Sequence, residues 1–232
     1  MRKHSEGIQG WTGAGNPSQS TQTSLPPSLI TPVGSTTMSD TTTPISPTRT
    51  VHGQVLPAPG TWEIDPVHAD VAFIGRHFML TKVRGRFTDV SGKIEIAPNI
   101  DDSTVEVSIN MASVQSGNVE RDTHIKSAEL FDVEQFPTAT FRSTSVEWRG
   151  SGATVYGDLT IHGVTRSVTL AVTFEGHVRD PWGGDRAIFS ARTQVNREDF
   201  GLTWNVALEA GGLLVSKDTQ IEIDIETVLN RA

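Results

Sequence analysis

The feature that most constrains this chain is a two-residue alternation of apolar and polar side chains, repeated in segment after segment from Gly60 onward. In TVEVSINM, Val105, Val107, Ile109 and Met111 fall on one side, and Glu106, Ser108 and Asn110 on the other. Successive side chains of a strand point to opposite faces, so the pattern reads as a half-buried strand. VTLAVTF (Val168, Leu170, Val172, Phe174), AIFSARTQV (Phe189, Ala191, Thr193, Val195) and QIEIDIETV (Ile221, Ile223, Ile225) repeat it. Less regular runs, GTWEID, ADVAFIGRHFM, VRGRF, GKIEIA, ATFRSTSVEW and TVYGDLTI, bring the expected total to about eight to ten strands. Turn signals at 89–92, 150–152, 162–163 and 181–184 join neighbours within a few residues, which leaves no room for parallel crossovers. The expected connectivity is an antiparallel meander. Many long strands paired in sequence must close or stack to protect their edges, so the expected fold is all-β, a closed antiparallel barrel of about eight strands.

One stretch departs from the pattern. NVERDTHIKSAELF, residues 118–131, lacks alternation and holds good helix formers, with Asn118 placed as an N-cap. Val119, Ile125 and Ala128 form only a partial apolar stripe, which predicts one short helix acting as a lid or plug over an end of the sheet.

Composition sets the limits of the folded part. Residues 1–59 hold 33 Ser, Thr, Pro or Gly, and eight of the 12 prolines. Such a segment buries too little apolar surface to offset its ordering entropy, which predicts a disordered tail over 1–59 and one domain over 60–232. The domain carries 16 basic and 25 acidic groups, so it repels phosphate backbones and nucleic acid is not an expected partner. With no cysteine there is no disulfide, thiol nucleophile or zinc-thiolate site. Arg2 and Lys3 are not followed by the apolar stretch of about 7–15 residues that a secretory leader needs. The expected location is therefore cytoplasmic, with an extracytoplasmic one as the alternative. Met38 offers a second plausible start besides Met1.

Five strings, WEIDPVHADVAFIGRHFM, VRGRF, RDTHIKSAELFDVEQFPTATFRSTSVE, GDLTIHGVTRSVTL and REDFG, in this order and spacing, resemble the YceI-like polyisoprenoid-binding family over residues 61–228. The resemblance implies an extended lipocalin-like barrel whose interior holds a long isoprenoid chain, a polyprenyl or isoprenoid-quinone tail. That lipid would be a bound ligand, and no cofactor is expected. Two departures stand out: a Ser/Thr/Pro-rich tail replaces the secretory leader of many members, and Ala69 follows His68 where the family commonly has Ser.

The candidate lumen residues are Phe73, His77, Met79, Val107, Ile109, Met111, Phe141, Leu170, Val172, Phe174 and Phe189. On a regular strand Phe73, Gly75, His77 and Met79 alternate inward, and Gly75 leaves space beside Phe73. The alternative is a packed core in which that glycine relieves curvature. Arg121, Asp122 and Arg197 are candidate head-group contacts, where an arginine fork suits a diphosphate or a quinone carbonyl. The same residues equally serve as caps and ion pairs. An enzymatic alternative pairs Asp122 with His124 as acid and base on a lipid head group. No Gly-x-Ser-x-Gly elbow accompanies it and the histidines lack metal-ligand spacing, so no catalytic or metal site is expected. A third reading is a filled structural barrel. Lys82, Arg84 and Arg86 share a strand face that is either simply solvated or meets an anionic membrane, and Trp182 is an exposed aromatic candidate for the same contact. A homodimer through an outer face is allowed without being indicated.

Overall fold

A computed structural model describes residues 46–209 and 213–231. The expected start sites and residues 1–45 of the expected tail lie outside the described residues. The tail reading fails nearer the domain. Strands β1 (Thr48–Val51) and β2 (Gln54–Pro57) form a hairpin with Thr48 opposite Pro57, turned by His52 and Gly53. The hairpin is fixed to the domain by Arg49, whose guanidinium donates to the carbonyls of Ala97 and Pro98.

The strands that follow are β3 (Gly60–His77), β4 (Thr81–Phe87), β5 (Val90–Ile96), β6 (Thr104–Asn110) and β7 (Val114–Gln115). After helix α1 (Val119–Lys126) come β8 (Thr138–Arg149), β9 (Gly152–Ile161), β10 (Val164–Arg179), β11 (Asp185–Asn196) and β12 (Asp218–Leu229). Eight of them, β3, β5, β6, β8, β9, β10, β11 and β12, pair antiparallel in that order, and β12 returns to β3 to close the barrel. Twelve-residue strands such as β11 and β12 rise ~40 Å along their length. Tilted as barrels require, they give a wall roughly 30 Å tall.

β3 merges two expected strands into one of 18 residues. Its first residues pair with β5 and its last with β4, while β12 pairs with it from Trp62 to Ile74 around a bulge. Between these parts Ile64 opposes Thr227 and Ala69 opposes Ile225, so 65–68 bulge outward against the single residue Glu226. Pro66 sits in that bulge, where its missing N–H breaks no ladder bond. The bend lets β4 and the two-residue β7 extend the wall beyond β5.

The two ends differ. At one, Trp62 is fully buried and its Nε1–H donates to the Ala58 carbonyl at 3.0 Å. It packs in a cluster with Leu56 of the hairpin, Ile96, Ile100, Phe174 and Ala187, which forms a floor. At the other end α1 begins at the expected cap, with the Asn118 side chain accepting from the Arg121 amide, and stops at Lys126 rather than at 131. Its one buried residue, Ile125, packs with Val71, Phe87, Val90, Met111 and Val114. Gly85 lies under the Phe73 ring so closely that a Cβ there would fall 2.2 Å from it.

Near the floor Arg186 joins β11 to its neighbours. It reaches Asp65 at 2.6 Å, Asp180 at 3.0 Å and Glu226 at 3.1 Å. Asp65, His68 and Glu226 converge as a metal site would, yet the Arg186 guanidinium already bridges the two carboxylates. The Arg186 hydrogen bond, helped by His68, holds the Asp65 carboxyl down at about 2 against the opposing effect of burial. A carboxylate whose folded value lies below its unfolded value stabilises the fold above the unfolded value and loses that contribution as pH falls. Asp65→Asn is therefore expected to lower stability by ~1–2 kcal/mol at neutral pH. Urea unfolding at a series of pH values should show variant and parent converging between about pH 4 and pH 2.

Candidate functional site

The barrel interior is hollow. A cavity of about 460 Å³ runs from the floor layer, at Ile96 and Phe189, to the α1 end, at His124 and Trp204. Ligand sites occupy ~300–1,000 Å³, and one water needs only ~10–15 Å³, so this volume takes a sizeable molecule. Its walls are the inward faces of the alternating strands: Val105, Val107 and Ile109 from β6, Leu170 and Val172 from β10, and Ile221, Ile223 and Ile225 from β12.

Most of the expected lumen residues line it: Phe73, His77, Val107, Ile109, Met111, Phe141, Leu170, Val172 and Phe189. Met111 does so from a 3₁₀ turn, Met111–Ser113, rather than from the strand itself. Two do not. Alternation on β3 stops at His77, where the chain turns, and Met79 is half exposed on that turn. Phe174 faces inward but below the cavity, packed in the floor with its ring 5.4 Å from that of Phe189. Gly75 borders open space, the nearest atoms to a Cβ there being Ser216 Oγ at 3.9 Å and Val215 Cγ1 at 4.0 Å.

The mouth is assembled from the end of β3, helix α1 and the irregular segment after the 3₁₀ turn Arg197–Phe200. His77 bridges Val215, and the Arg76 amide donates to Ser216 Oγ at 2.9 Å. The His124 ring stands edge-on to Trp204 with centroids 4.4 Å apart. Arg76, His77, Arg121, His124 and Arg197 all line this end, and among the described residues no aspartate or glutamate lines the cavity. An acidic chain of net charge −8 thus presents a basic mouth.

Arg197 is the most constrained of these cations, with 8% of its surface exposed and no carboxylate partner among the described residues. Its Nε donates to the Ser216 carbonyl at 3.0 Å and its Nη1 to that of Leu202, while Nη2 has no partner among the described residues. Burial pulls the guanidinium below its ordinary value, only partly countered by Glu198. A buried cation held by carbonyl dipoles alone is costly unless a further acceptor arrives. Arg121 is tied by Nε to Ser116 Oγ at 2.7 Å and by Nη2 to the Ser116 carbonyl at 2.6 Å.

Asp122 is not a mouth residue. Its Oδ1 accepts from the amide and hydroxyl of Ser116, locking the start of α1 to the chain after β7. His124 Nε2 instead meets Glu129 at 2.7 Å, so the Asp122–His124 pair of the enzymatic alternative is not formed. Of Lys82, Arg84 and Arg86 on their shared strand face, Arg84 is held by Glu222 at 2.5 Å and Asp70 at 3.2 Å. Trp182 is 87% exposed but sits on the β10–β11 turn at the floor end.

Sequence reasoning missed Arg76, Trp148 and Trp204 as lining residues. Trp204 lies in the irregular GLTWN segment, where no periodicity signals an inward face.

A YceI-like domain model matches residues 62–227. The chain belongs to the YceI-like family. A UPF0312 protein of Pseudomonas fluorescens is 41% identical over 156 residues, which cover 64% of this chain and 79% of that protein. The crystal structure of a Campylobacter jejuni YceI protein aligns with a TM-score of 0.58 and 26% identity, covering 67% of this chain and 90% of that one. A polyisoprenoid binding domain from Saccharophagus degradans, implicated in plant cell wall breakdown, aligns with a TM-score of 0.52 and 17% identity, covering 75% and 100%. The family's barrel is thus the fold of this chain.

Proposed function

We propose that this YceI-like barrel is a non-catalytic carrier or reservoir that sheathes the tail of a long-chain isoprenoid lipid. The observation that carries the reading is the hollow of about 460 Å³, walled by apolar side chains and opening at a basic mouth. The polyisoprenoid-binding description of the Saccharophagus degradans neighbour supports it. Removing hydrocarbon from water contributes ~0.8 kcal/mol per CH₂, on the order of 4 kcal/mol for a five-carbon unit before binding costs. A few units approach the ~18–21 kcal/mol ceiling of non-covalent affinity, so ordering the flexible tail absorbs much of the gain. Affinity then comes from the walls, the limit on tail length from the Trp62 floor, and head-group preference from the mouth. Arg197, which lines the mouth end of the cavity and has no carboxylate partner among the described residues, suits a phosphate or quinone oxygen.

The test is native mass spectrometry of protein made in its native host, followed by titration of the stripped protein with a polyprenol. A co-purified lipid and saturable uptake are expected. Val107→Asp, which puts a carboxylate on the lumen wall, should lower uptake by about 100-fold or more. Apoprotein that takes up neither polyprenol nor quinone would overturn the reading.

A further inference from the structure

We propose that the turn between β3 and β4 is a docking tip that sets the cavity mouth against an anionic lipid surface. The proposal rests on the carrier reading and adds where the lipid enters and leaves.

Phe78, Met79 and Leu80 expose 50%, 50% and 78% of their surfaces. Three consecutive large apolar residues thus occupy a hairpin tip, a place that ordinarily takes Asn, Asp or Gly. The turn closes with the Leu80 amide donating to the His77 carbonyl at 3.1 Å, and its two central residues have positive φ, +52° at Phe78 and +61° at Met79. Left-handed backbone is disfavoured for bulky side chains. At the β1–β2 and β9–β10 turns the chain meets the same need with His52-Gly53 and His162-Gly163. Among the described residues, only here does it accept the strain with exposed Phe and Met, which points to a use for those side chains outside the fold.

The tip is continuous with the mouth. The Phe78 amide donates to the Leu214 carbonyl at 2.8 Å, and the Leu214 amide to the carbonyl of exposed Val206 at 2.9 Å. Leu214 and His77 both line the cavity, and the ring centroids of Phe78 and His77 lie 4.0 Å apart. Arg76 and Lys82 flank the tip; Arg76 donates to the Leu80 carbonyl at 3.2 Å, and neither cation is paired with a carboxylate among the described residues. An apolar wedge between unpaired cations, on a chain of net charge −8, complements an anionic lipid surface. Trp182, at the floor end, faces away from a membrane approached this way.

The experiment is flotation of the full chain with phosphatidylcholine vesicles, with and without phosphatidylglycerol, beside a variant carrying Phe78→Asn and Met79→Gly. Those residues suit the turn, so the variant is expected to melt at or above the parent's temperature and to keep its polyprenol uptake. The parent should float with the anionic vesicles, and the variant should bind them about tenfold or more weakly. A parent that does not float, or a variant that floats equally well, overturns the proposal. So does concentration-dependent self-association that the variant abolishes, because the tip would then join two copies of the chain. Flotation that depends on the tip in a protein unable to take up polyprenol would refute the carrier reading and leave the docking tip standing.

Discussion

Ala191→Trp is expected to abolish lipid uptake while leaving the barrel folded. Ala191 lies midway along β11, between Val172 of β10 and Ile223 of β12, and its methyl group faces the cavity. An indole at that point blocks the passage between mouth and floor. Overpacking strains a protein because a dense core has nowhere to put added atoms, whereas here the open cavity lies directly ahead. Polyprenol affinity should fall by ~100-fold or more with stability changed by only about 1 kcal/mol. Titration and urea unfolding of the same preparation separate the two effects. Uptake at the parent's level would mean that the tail does not pass through the middle of the barrel.

The second large effect is on stability. Trp62→Ala removes the largest fully buried side chain, at the point where β3, β5 and β12 meet over the hairpin residue Leu56. The indole's loss should cost ~3–5 kcal/mol and lower the Tm by about 10 °C. The Ala58 carbonyl also loses its donor. If Trp62 forms the floor of the lumen, the survivors of this variant, assayed at low temperature, should accept longer polyprenols than the parent does. A Tm unchanged within a degree or two would show that the floor is held elsewhere.

Much of the fold was legible because strand alternation is a local signal. β6, β10, β11 and β12 could each be read from their own residues, and so could α1 from its Asn118 cap. What depends on register was hidden. β3 looked like two strands because Asp65, Pro66, Val67 and His68 resemble a break, and only pairing with β12 turns them into a bulge. The β1–β2 hairpin was obscured by the Ser/Thr/Pro-rich sequence before it, although His52-Gly53 between Val51 and Val55 carries the same turn signal as His162-Gly163.

The lumen walls were legible for the same reason as the strands, with failures where a strand ends. Nothing in ADVAFIGRHFM itself says that the turn begins after His77, so Met79 was read one step too far. Phe174 was given the right face but its depth was not visible, because depth depends on which end the hairpin closes. The mouth was the least legible part. Arg76, His124 and Trp204 come together through the irregular segment after Phe200, and the Ser116 bonds that occupy Asp122 are tertiary contacts between segments with no shared periodicity.

The central claim is tested most directly by a crystal structure of the protein after incubation with a polyprenol. Continuous density for the tail is predicted inside the barrel, passing Phe73, Val107 and Ile223 and ending above the Trp62 floor, with the head at the Arg197 mouth. A lipid bound to the outer wall, or an interior closed by the protein's own side chains, would contradict the account.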